Sequence, residues 1–199
     1  MKKTIALLLS MIVFCTLALG SSSSESDSSS ENGGSSIKST THFIDKNVSV
    51  EYQNALKSAY SYSDMMHMSK MGIYDQLTSE YGDKFAEDAA QYAIDTMEVD
   101  WNANALASAK SYSKTMHMSK MAIYNQLISE NGEKFTEEEA QYAIDNIDAD
   151  WNANALATAK TYQREMSMSK DAIYSQLISE YGEKFTAEEA QYAIDHLDD

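Results

Sequence analysis

The chain has 199 residues, no proline and one cysteine, with 15 basic against 31 acidic side chains and a formal net charge of −16. A lone Cys15 excludes an intramolecular disulfide framework and any cysteine-built zinc site. The acidic balance argues against a sequence-independent grip on nucleic acid, which rests on Lys and Arg neutralising phosphates. It favours a soluble monomer or a basic partner.

Residues 1–20 read as a signal peptide. Lys2 and Lys3 give a positive start, Ile5 to Leu19 is apolar apart from Ser10 and Thr16, and Ala18-Leu19-Gly20 places small residues before Ser21. The run is too short and wrongly flanked for an ordinary membrane span. Its removal discards Lys2 and Lys3 and no acid, taking the charge from −16 to −18. Cys15 follows Phe14 inside the run, and Ser21 holds the place natural for a lipid-bearing cysteine. Plain cleavage before Ser21 is favoured, with Cys15 the one lipidation candidate.

Residues 21–48 begin SSSSESDSSSENGGSS, which has nothing to bury and reads as a disordered tether. A flexible coil of this length spans roughly 30 Å.

From Glu51 the chain repeats every fifty residues. Asn54-Ala55-Leu56 recurs at Asn104 and Asn154, Met68-Ser69-Lys70 at Met118 and Met168, the GDKF or GEKF stretch at Gly82, Gly132 and Gly182, and AQYAID at Ala90, Ala140 and Ala190. Such a period marks one supersecondary unit used three times, here residues 49–100, 101–150 and 151–199. The fold class is all-α: three tandem, three-helix, helix-turn-helix-like repeats.

In the middle copy the first helix runs from about Asn104 to Ser113, with Leu106, Ala109, Tyr112 and Met116 spaced for one face. The second starts at Ser119 and carries Ile123, Tyr124, Leu127 and Ile128 on one stripe. Gly132 is expected to end it as a left-handed cap. Ser69, Ser119 and Ser169 fit N-caps, with Met68, Met118 and Met168 before them and Ile73, Ile123 and Ile173 at the fourth helical position, the hydrophobic-staple pairing. The third helix opens on a capping box, Thr136 with Glu139 and again Thr186 with Glu189. In the first copy Ala86 and Ala89 replace both box residues, leaving Glu87 and Asp88 to meet the helix dipole, a start weaker by about 1 kcal/mol. No glycine or proline separates one copy from the next. Ala140, Ile144, Ile147 and Trp151 fall on one stripe, which predicts a long or barely broken helix across the join and a semi-rigid array.

Several stretches invite a chemical reading. MHMSKM at Met66 and again at Met116 resembles a soft Cu(I) grip. The third copy reads MSMSKD, so capping and stapling explain what all three share, while copper explains two; a Met66, Met68 and Met71 copper binder stays as a third alternative. Asp148 to Asn154 has the alternating oxygens of a calcium loop, but Ala153 and Ala159 stand where glycine and a bidentate glutamate are needed, so an Asp or Asn here caps the next helix. The helix-turn-helix look suggests DNA, against which stand net charges of −7, −4 and −5 over residues 51–100, 101–150 and 151–199 and the absence of a basic recognition helix. His67 and His117 recur without a nucleophile, base and orienter, and His42 and His196 are isolated. No enzyme, cofactor or metal site is expected. Tyr74, Tyr124 and Tyr174, with Tyr92, Tyr142 and Tyr192, read as packing tyrosines, some of them exposed enough to anchor a partner.

The succession NALxxAxxY, MSKxxIYxQLxSExGxKF and AQYAID resembles the host cell surface-exposed lipoprotein family of the Ltp type, across Glu51 to Asp199. The signal sequence and serine-rich spacer match that family's layout. The resemblance implies a protein exported to the surface of a Gram-positive bacterium, membrane-anchored or secreted. It also implies superinfection exclusion, in which a lysogen blocks DNA injection by an incoming phage through the phage tail tape measure protein. A general surface adhesion or envelope module without a phage role is the alternative.

Overall fold

Three helices form in every repeat because every start but that of the first repeat's third helix carries a side chain that satisfies orphan amides, and each stop leaves the helical region. In the computed structural model, which describes residues 47–198, the first repeat holds α1 Val50–Met66, α2 Lys70–Thr78 and α3 Glu87–Thr96. The second holds α4 Trp101–Met116, α5 Lys120–Ile128 and α6 Glu137–Asn146, and the third α7 Trp151–Met166, α8 Lys170–Ile178 and α9 Ala187–Asp195. No strand occurs among the described residues. The signal-peptide reading, Cys15 and nearly all of the tether lie outside them.

Each repeat encloses its own core. In the second, Ala105 and Ala109 of α4 and Ala140 and Ala143 of α6 are fully buried, and these small side chains let the two backbones approach. Ile123 and Leu127 of α5 close the third side, each burial contributing about 1.5–3 kcal/mol. Phe135 and Ile144 complete the cluster. Met116, expected on the same face, is more than half exposed, because it is the last residue of α4 and lies beyond the reach of α6.

Two expectations about breaks need correction. Gly132 does not end α5: the helix stops at Ile128 with Ser129 extended, and Gly132 sits in the turn beyond. Glycine is required there for space, since a Cβ would stand 2.5 Å from the Gln126 carbonyl oxygen. The left-handed residues are elsewhere, at Lys84, Lys134 and Lys184 in that turn and at His67, His117 and Ser167, which terminate α1, α4 and α7. The copies are also not joined by a continuing helix. Ile147 is extended (φ −73°, ψ 128°), and Asp150 takes the extended N-cap conformation, its carboxylate accepting from the Ala153 amide at 2.9 Å. An N-cap residue must leave helical dihedrals to aim its side chain at the first turn. One aspartate therefore breaks the stripe without glycine or proline, as Asp100 does one repeat earlier.

Candidate binding surface

The described residues belong to one unit, and the repeats meet at two joints built from the same parts. Asn104 of α4 is buried and donates from Nδ2 to the Ser63 hydroxyl at 2.9 Å and the Met68 carbonyl at 3.0 Å. Ser108 donates to the His67 carbonyl at 3.2 Å. At the second joint Asn154 donates to Ser113 and Met118, and Thr158 to His117. Trp101 and Trp151 pack partly buried against the core of the preceding repeat. The left-handed end of α1 or α4 thus presents two carbonyls that the next repeat's first helix satisfies.

The serines before the second helices serve two purposes. The Ser69 hydroxyl accepts from the Gly72 amide at 2.9 Å, capping α2, and donates to the Glu133 carbonyl across the joint. Ser119 caps α5 through Ala122 and donates to the Glu183 carbonyl. Ser169 caps α8 through Ala172 but is exposed. Met68, Met118 and Met168 pack partly buried against the clusters that contain Ile73, Ile123 and Ile173. Thr136 with Glu139, and Thr186 with Glu189, make both bonds of the capping box. Ala86 has no side-chain cap bond; Asp88 instead accepts from the Ala89 amide and from the Tyr52 hydroxyl.

A tyrosine–carboxylate pair recurs beside each first helix. Tyr62 donates to Asp83 at 3.0 Å, Tyr112 to Glu133 and Tyr162 to Glu183. Burial, then the carboxylate bond, pushes the Tyr112 and Tyr162 phenols well above their ordinary value, so each remains a donor. At the first joint a cleft of about 270 Å³ opens between the end of α1 and α4, lined among others by Met65, Met66, His67, Tyr112 and Glu133. Met66 does not pack under the preceding turn: it is 54% exposed, as is Met71, while Met65 is 75% exposed. Of the three methionines of a copper set, Met68 alone is engaged in core packing. His67 takes the left-handed position that ends α1, a role Ser167 fills in the third copy. The joint asparagines stood in the sequence as part of the repeated NAL, but their partners lie 36 and 41 residues away, beyond any local pattern.

The ends of the array differ from its joints. Asn54 is exposed, and Glu51 stands where Trp101 and Trp151 anchor the later repeats. At the other end Gln163 replaces the joint serine and donates to the Asp198 carbonyl at 2.8 Å.

The family model described as host cell surface-exposed lipoprotein matches three times, over residues 50–97, 100–147 and 150–197. Every helix among the described residues falls inside one of the three matches. The chain belongs to the host cell surface-exposed lipoprotein family. A solved structure, that of Ltp, a superinfection exclusion protein from the Streptococcus thermophilus temperate phage TP-J34, is 42% identical to it. That match covers 51% of this chain and 99% of the other, with a TM-score of 0.47. Among curated proteins nothing matches.

Proposed function

We propose that this lipoprotein-family member excludes superinfecting phage at the cell surface by binding a phage tail protein, the tape measure protein, and so blocks DNA entry. The threefold family match across all the described helices carries this reading. Support comes from the acidic surface, which suits capture of a basic segment with association that weakens as salt rises. In this reading residues 1–20 direct export from a Gram-positive host, residues 21–48 hold the repeats away from the envelope, and binding replaces catalysis. Anchoring through Cys15 or release after cleavage before Ser21 is decided by the mass of the mature N-terminus.

The test is expression in a sensitive host, with phage adsorption and DNA entry measured separately. Adsorption should be unchanged while DNA entry drops. Normal DNA entry across a panel of phages would overturn the proposal.

A further inference from the structure

The cleft at the first joint, about 270 Å³, lies just below the lower end of small-molecule sites, roughly 300 Å³. One wall is Met65 and Met66, flexible thioethers that adapt to an aliphatic chain. Glu133 also lines the cleft and takes the Tyr112 hydroxyl on one oxygen; its second oxygen has no partner among the described residues. Met65 and Met66 are also the last two residues of α1, so the negative end of that helix dipole faces the cleft. The last turn of α1 contains no basic residue, whereas α4 has Lys114 and α7 has Arg164 in the corresponding turn. At the second joint the same place has Thr115 for Met65, beside Met116, Tyr162 and Glu183. The first joint alone thus pairs two exposed methionines with a carboxylate, beside a helix whose last turn has no basic side chain.

We propose that this cleft is a port for a lysine or arginine side chain of a basic amphipathic segment on a protein partner. The aliphatic stem lies along Met65 and Met66, and the cationic head reaches Glu133 and the α1 carboxyl end. The occupant is fixed by charge: the chain is acidic at −16, and an apolar wall ending in a carboxylate matches a long side chain with a terminal cation. The inference deepens the exclusion reading by naming where a tail protein is gripped, and rests on that reading for its biological partner.

A synthetic amphipathic leucine–lysine helical peptide serves as probe, beside a control peptide with glutamine for lysine, titrated into the exported protein with methyl-labelled methionine. The Met65 and Met66 methyl resonances should move with the lysine peptide and stay in place with the control. Glu133→Gln, which can still accept from Tyr112, should weaken binding about tenfold. The double variant Met65→Gln/Met66→Gln, at exposed positions, should do the same. Glu180→Gln, an exposed charge removed from the cleft, should change affinity less than twofold. Equal response to both peptides, or equal weakening by Glu133→Gln and Glu180→Gln, would overturn the port. In the host assay, a wild type that excludes phage beside a Glu133→Gln variant that excludes equally well overturns the port and leaves exclusion standing. If the wild type excludes none, the exclusion reading fails and the peptide titration alone decides the port.

Discussion

The two joints share their main-chain logic and differ in an ion pair. Both use a buried asparagine, a hydroxyl on the next turn and a capping serine, directed at the same carbonyls fifty residues apart. At the first joint Lys134, held in the left-handed conformation, also forms an ion pair with Asp75. At the second, Lys184 has the same conformation, but Asn125 stands where Asp75 would be. The uncharged network therefore makes a joint, and the ion pair only adjusts one.

The sharpest way to break that equivalence is to delete the asparagines. Asn104→Ala leaves the buried Ser63 hydroxyl and the Met68 carbonyl short of a donor, and should destabilise by roughly 2 kcal/mol. Asn154→Ala should lose the same amount, measured by denaturant unfolding followed by circular dichroism. A large difference between the two would show that the joints are not equivalent. Next come the capping serines. Ser69→Ala and Ser119→Ala remove a cap and a joint bond, about 2 kcal/mol together, whereas Ser169→Ala removes a cap alone, about 1 kcal/mol. Equal losses at all three would remove the joint role of the hydroxyl.

Asp75→Asn, which gives the first joint the second joint's residue, should cost under about 1 kcal/mol, because both partners are partly exposed. That loss should vanish in about 1 M salt. The hydrogen bond to Asp75 raises the Lys134 ammonium above its ordinary value of 10.5. A raised cation contributes stability below its unfolded value and loses it as pH rises through the folded one. The wild type should thus show an alkaline loss above pH 10.5 that Asp75→Asn lacks. The smallest effect is expected from Gly72→Ala, which supplies the alanine found at Ala122 and Ala172. Helix propensity favours it by up to about 1 kcal/mol, and a Cβ 3.1 Å from the Ser69 hydroxyl offsets part of the gain. A net rise of about 0.5 kcal/mol in unfolding free energy would make α2 resemble its counterparts.

The repeat and its helical character were legible because period and apolar spacing are local properties of the chain. The break at Asp100 and Asp150 was legible only as a cap for the following helix, since the stripe from Ala140 to Trp151 keeps helical spacing while a cap residue imposes extended dihedrals. Gly132 misled for a related reason: glycine signals either a left-handed backbone or a close approach, and here the Gln126 carbonyl requires the second. The role of His67 was not legible, because a left-handed stop carried by histidine, then serine, has no strong residue signature. The cleft was invisible for a different reason. Met65 and Glu133 come together only through the joint, whose hydrogen bonds span 36 to 64 residues.

Because the joint is made largely on main-chain carbonyls, a duplicated fifty-residue segment would carry both halves of a new joint with it. Copy number can then change by in-frame gain or loss of one unit, without matched side-chain changes in its neighbours. Glu51 stands in place of the tryptophan in the first repeat, and Gln163 in place of the joint serine in the third.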